Sequence, residues 1–287
     1  ADREADVPDF TALGLPAGEI TIAGMLKQAG YHTLYLGKWH LGEQPAQRPD
    51  ARGFDESLGF YAGASMFLPE DSPGTVNSKQ DFDPIDRFLW AALPYGVRYN
   101  SGPMFRAKGH MTDYLTDQAI EAIRANRNRP FFIYLAYNAP HTPLQATKAD
   151  YDALPQIQDH TLRVYAAMIR QLDRGVGRVL AELKAQGLDD DTLVIFTSDN
   201  GGAHYVGLDD LNKPYSGWKA TFYEGGIRVP FFMRWPGVMP AGATYAAPIS
   251  HFDIFAWNPA ARPHGPAGGE AQAIRALEQV LTTRYGG

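Results

Sequence analysis

The stretch GYHTLYLGKWHLG, Gly30 to Gly42, carries the reading of this chain. Tyr31, Leu34 and Leu36 mix aromatic and aliphatic side chains, which suits a short buried strand. Gly37 then punctuates the run, and two polar groups follow it, Lys38 and His40. With one residue between them they point the same way if the extended geometry persists, because strand side chains alternate with period two. A cation and a titratable imidazole at a strand end suit the binding of an oxyanion and the movement of a proton. A Lys lying along apolar surface beside a hydrogen-bonded core His is the plainer alternative, and for this stretch alone it is the better one.

Three further stretches place polar groups beside apolar runs. In TLVIFTSDNGG, Thr192 to Gly202, residues Leu193 to Phe196 read as a strand buried on both faces of a parallel sheet. Asp199 and Asn200 stand where that strand would end, and ligands of open α/β sheets gather at strand carboxyl ends. A carboxylate beside a carboxamide offers two hard oxygen ligands, suited to Ca²⁺ or Mg²⁺ rather than zinc. Alone, Asp-Asn-Gly-Gly is more often a plain turn, by about four to one. In PFFIYLAYNAPHTP, Pro130 to Pro143, Phe131 to Tyr137 reads as another buried strand, and Pro140 and Pro143 hold His141 in a stiff loop. In GWKATFYEGGIRVPFFMRWPG, Gly217 to Gly237, Lys219 lies in a turn and Ile227 to Trp235 reads as a strand. A solvated Lys and an ordinary loop His are acceptable readings of each alone. Four such constellations in one chain are harder to set aside.

In this order and at these intervals, GYHTLYLGKWHLG, APHTP, TSDNGG and the segment from Lys219 to Gly237 resemble the type I sulfatases, the formylglycine-dependent arylsulfatase family. The resemblance covers roughly residues 14 to 256. It implies an alkaline-phosphatase-like α/β fold, a wound mixed sheet flanked by helices, and hydrolysis of small-molecule or carbohydrate sulfate esters. It implies further that Lys38 and Lys219 hold sulfate oxygens and that His141 contacts the sulfate or the leaving group. His40 would then serve the formylglycine, as the base that restores its aldehyde. Asp199 and Asn200 would be two of the ligands of a Ca²⁺ ion, with Mg²⁺ the alternative.

The chain also departs from the family pattern. Members carry a Cys/Ser-x-Pro-x-Arg motif upstream of the GKWHLG-like segment, and an Asp pair further upstream that completes the metal site. This chain has no Cys, and no Ser in it stands in a Ser-x-Pro-x-Arg pattern. The expectation is therefore a catalytic domain over residues 1–256 that lacks the nucleophile and half the metal site, incomplete at both ends and inactive as it stands. Residues 257–287, opening with WNPAARPHGPAGGE, read as a linker followed by a short helix over Ala271 to Leu281.

Composition narrows the alternatives. With 26 basic and 32 acidic residues the net charge is −6, which argues against a general nucleic-acid binder. Local cations must attract any anion, because the global field repels it mildly. The lack of Cys removes disulfides, and no apolar run approaches the ~20 residues of a membrane span. Helices are expected from Thr21, as N-cap, to near Gly30, over Thr112 to Asn126, and from about Asp159 to Gln186. The last carries Leu162, Ala166, Ile169, Leu172, Val176, Val179 and Leu183 as its expected buried face. Phe60 to Gly109 shows no period and reads as an insertion over the site's mouth, or equally as a packed surface lobe. Two rival functions remain: a phosphate or phosphonate ester hydrolase of the same superfamily, and a non-catalytic remnant that binds sulfated ligands or nothing.

Overall fold

Thr21 caps the first helix: its hydroxyl accepts the Gly24 amide at 3.0 Å and donates to the Arg52 carbonyl at 2.7 Å. The computed structural model describes residues 14–256. In chain order it runs α1 (Ile22–Gln28), β1 (His32–Lys38), β2 (Glu56–Phe60), β3 (Thr75–Ser78), α2 (Pro84–Ala92), β4 (Val97–Tyr99) and β5 (Met104–Phe105). Then follow α3 (Met111–Asn126), β6 (Phe131–Ala136), β7 (Leu144–Thr147), α4 (Lys148–Asp152) and α5 (His160–Ala185). The last described elements are β8 (Val194–Thr197), α6 (Glu224–Ile227), β9 (Phe231–Arg234) and α7 (His251–Ala256).

The main sheet is mixed, in the order β5-β4-β2-β1-β6. β1 pairs in parallel with β2 and with β6, while β2–β4 and β4–β5 are antiparallel. Period-two alternation sends neighbours on β1 to different cores. Leu36 joins the larger one, with Leu58, Phe67, Met111, Leu115, Leu144, Val164 and Met168, which α3 and α5 cover. Tyr35 joins a smaller one with Ala23, Trp39 and Phe54, its ring edge-on to Trp39 at 5.0 Å. Gly37 sits between them at φ +114°, and a Cβ there would lie 1.9 Å from the Ala136 carbonyl oxygen. Only glycine lets β1 and β6 approach so closely just before the polar residues begin.

The structure corrects several expectations. The Thr192-to-Gly202 strand is not part of the parallel sheet: β8 pairs antiparallel with β9, and each of its residues is only partly covered. An apolar run does not reveal which edges of a strand are paired, so periodicity could not separate the two arrangements. The Pro130 strand, β6, is the edge of the main sheet among the described residues, and Tyr134 is 50% exposed. Ile227 to Trp235 is broken, because α6 ends at Ile227 and β9 begins only at Phe231, after Pro230. On α5 the buried face is set by Val164, Ala167, Met168, Gln171, Gly175 and Leu183, so Leu162 and Ile169 lie outside it, 41% and 43% exposed. The Phe60–Gly109 segment is partly woven into the fold: β4 and β5 extend the main sheet and β3 pairs with β7. Strands of two to four residues are too short to register as a period. The linker and tail helix expected over 257–287 lie outside the described residues.

Candidate active site

Lys38 ends β1, and the extended geometry stops there. His40 adopts φ +56°, so the two side chains are not set by strand alternation as the sequence suggests. They nonetheless stay in one electrostatic neighbourhood, since the Lys38 charge, after burial, is the next cause that lowers the His40 pKa. The His40 amide donates to the Tyr61 carbonyl at 2.9 Å, and its ring lies against Gly63, where a Cβ would come within 2.7 Å. Asp199 follows β8, and its Oδ2 accepts from Lys38 Nζ at 3.3 Å across 161 residues of chain. Asn200 comes next, its backbone carbonyl accepting the Ser198 hydroxyl at 3.0 Å.

His141 lies in the turn between β6 and β7. Its Nδ1 is 2.6 Å from the Thr142 carbonyl oxygen, which can only accept, so the imidazole donates there and Nε2 is left as the free edge. Lys219 Nζ sits 3.3 Å from that Nε2, and Tyr205 Oη 3.4 Å from it. Lys219 is carried by a loop whose own amide donates to the Gly202 carbonyl at 2.9 Å, which stitches it to the turn after Asp199. Asn212 reinforces the stitch: its side chain accepts from the Gly202 amide at 2.8 Å and donates to the Gly202 and Gly217 carbonyls at 2.9 and 3.0 Å.

Lys38, His40, His141, Asp199 and Lys219 are thus brought from four separated segments to one place at the carboxyl ends of β1, β6 and β8. Tyr205 and Asn212 join them and were not picked out from the sequence. Lone polar residues in a turn-rich loop, with no flanking apolar run, carry no local signal.

The charges shape one another. Burial first, then the Lys38 charge, pushes His141 down to about 4, so its imidazole is neutral at pH 7. His40 is lowered for the same reasons, burial then Lys38 and Lys219, with Asp199 opposing. Lys219 is lowered by burial and by Lys38. At Asp199, burial pushes the carboxyl up, but Lys38 and Lys219 outweigh it and hold the group below the ordinary carboxylate range. Tyr205 is pushed up to about 12 by burial and by Asp199, so it keeps its proton. Two cations, one carboxylate and neutral hydrogen-bonding rings make a locally positive pocket in a chain of net charge −6, suited to a tetrahedral oxyanion.

Asp199 and Asn200 offer two oxygens against the six to eight that Ca²⁺ takes, and Asp199 is engaged by Lys38. Among the described residues no group of three or more His, Cys, Asp or Glu side chains could hold a metal. The described residues do not complete a Ca²⁺ shell.

A cluster of two lysines, two histidines and a carboxylate at the strand ends of a mixed α/β sheet defines the kind of site, and comparison with known proteins gives the family. Residues 7–257 match the Sulfatase family model, and the chain belongs to that family. It is 33% identical over 262 residues to N-acetylgalactosamine-6-sulfatase of Mus musculus, a match covering 88% of this chain and 47% of the relative. It is 33% identical over 255 residues to the uncharacterized sulfatase YdeN of Escherichia coli K12, covering 84% and 43%. The crystal structure of Ps i-CgsB in complex with k-i-k-neocarrahexaose superposes with a TM-score of 0.73 at 35% identity, covering 85% of this chain and 53% of that one. The chain therefore spans about half the length of the curated relatives it matches, and its fold is the alkaline-phosphatase-like fold of its structural neighbours.

Proposed function

We propose that this pocket is the sulfate end of a sulfuric ester hydrolase acting on sulfate monoesters, with a sulfated carbohydrate as the substrate class. The observation that carries the reading is that Lys38 meets Asp199 at 3.3 Å and Lys219 meets His141 at 3.3 Å, the two pairs lying near enough for the charges of each to act on the groups of the other. Lys38 and Lys219 bind and orient the non-bridging oxygens of the sulfate, and the charge they neutralise is the charge that grows as the ester bond breaks. His141 presents Nε2 and, with Tyr205, orients the oxygen that leaves. His40, held neutral, is poised to accept a proton. The carbohydrate preference is supported by two of the similar proteins, one an N-acetylgalactosamine-6-sulfatase and one solved with a neocarrahexaose.

Formylglycine and Ca²⁺ are what membership of the family implies for the complete chemistry. No Cys and no Ser-x-Pro-x-Arg occurs among these 287 residues, so they hold no residue of the family motif that becomes formylglycine. We infer that the 287-residue chain alone gives no turnover of an aryl sulfate. Release of the phenol from a chromogenic aryl sulfate, followed past one equivalent, is the test. Multiple turnover abolished by Lys38→Ala would overturn the inactivity and point to another nucleophile in this chain. A phosphate monoester hydrolysed where the sulfate is not would favour the phosphatase reading instead.

A further inference from the structure

The residue that bonds the His141 imidazole is itself tied to a buried carboxylate outside the site. Asp86, on α2, is 1% exposed, and Thr142 is equally buried. One carboxylate oxygen of Asp86 accepts the Gln80 amide at 2.7 Å and the Trp90 indole N–H at 3.1 Å. The other accepts the Thr142 hydroxyl. A buried carboxylate with three donors is fixed in place, and it fixes the threonine in turn. The Thr142 carbonyl is the acceptor for His141 Nδ1 at 2.6 Å. Which nitrogen of a histidine carries the proton is set by the bond the other nitrogen makes. Here that bond is made to a carbonyl whose residue is tethered to Asp86.

We infer that Asp86 is a positioning residue: through Thr142 it holds His141 with the proton on Nδ1 and the lone pair of Nε2 turned towards Lys219 and Tyr205. The inference rests on the sulfate reading for what the ring does to a substrate, but not for the ring's tautomer. It gives the α2 segment a task besides packing. A lobe that merely packs would need no carboxylate aimed at the residue after His141.

The tautomer is read directly from long-range ¹H–¹⁵N correlations across the imidazole of the labelled full chain at pH 7, without added anion, with His141→Gln supplying the assignment. The expected wild-type pattern is a protonated-type Nδ1 and an unprotonated-type Nε2. Thr142→Val removes one hydroxyl at constant volume and keeps the Gln80 and Trp90 bonds to Asp86. It should shift both nitrogens towards an averaged pattern, and Thr142→Ser should restore the wild-type one. Asp86→Asn, which presents an amide to the hydroxyl, should move them in the same direction. Should Asp86→Asn fail to fold, Thr142→Val carries the test. A wild-type ring protonated at Nε2 overturns the inference, as does a folded Thr142→Val that loses thermal stability but keeps the wild-type pattern. A sulfate titration of the same samples separates the two ideas. No shift at His141 with sulfate, beside the expected tautomer change, sinks the sulfate reading and leaves the positioning role intact.

Discussion

His141 shows how neighbours decide what one side chain can do. Its pKa falls from the ordinary 6.5 to about 4, through burial and then the Lys38 charge. A depressed folded-state value means that the unfolded chain binds more protons between those limits, so stability rises with pH across that window. This contribution is complete above pH 6.5 and is lost as pH falls towards 4, at most about 3 kcal/mol for this ring. Urea midpoints measured between pH 7 and 4 should drop less in His141→Gln than in the wild type, and parallel drops would contradict the assignment. Lys38→Met removes a charge that depresses His141, His40 and Lys219 together. All three should titrate higher in that variant by NMR. The positions of Lys38, His141 and Asp199 were legible because each follows an apolar run punctuated by Gly or Pro, whereas Lys219 lies in a turn and was picked out chiefly by the family resemblance. Tyr205, Asn212 and Asp86 were not, since their importance comes from what lies across the fold rather than along the chain.

Among the elements, α5 offers a sharp contrast within three residues. A Cβ on Gly175 would lie 2.6 Å from Thr116 Oγ1 on α3 and 3.1 Å from the Tyr137 hydroxyl, whereas one on Gly177 meets nothing within 4 Å. Gly175→Ala should therefore overpack the α3–α5 contact and destabilise by about 1–3 kcal/mol. Gly177→Ala should stabilise by roughly 0.5–1 kcal/mol, because only the helix propensity changes. Chemical denaturation of both variants checks the pair, and equal effects at the two sites would contradict the packing. The long helix and its caps were legible in the sequence: Asp159 accepts the Leu162 amide at 2.7 Å, as an N-cap should. The Thr112 start was one residue late, since His110 is the cap and Met111 opens α3. Helical period fixed the length of α5 better than its buried face, which turned towards α3 and β7 rather than following Leu162 and Ile169. Pairing of β8 with β9 was not legible, because sheet neighbours are chosen by tertiary contact and not by local composition.

For the whole molecule, the pocket is a local positive site inside a mildly negative chain, so screening matters little at contact distance and long-range attraction is weak. Ca²⁺ has two candidate oxygen ligands here, from Asp199 and Asn200, and Lys38 competes for the first. Calorimetric titration of this chain should show weak binding at best. Tight stoichiometric binding lost in Asp199→Ala would mean that other residues of the chain complete the site. The most direct test of the pocket itself is a titration with inorganic sulfate, followed by calorimetry and by the His141 and Lys219 resonances. Saturable binding is expected, weakened about tenfold or more in Lys38→Ala and in Lys219→Ala, as loss of a charge-assisted hydrogen bond requires, and unchanged in Lys27→Ala, whose ammonium lies on α1 and pairs with Asp55. Sulfate binding that is indifferent to Lys38 and Lys219, or that leaves the His141 signal unmoved, would contradict a single oxyanion site at these strand ends.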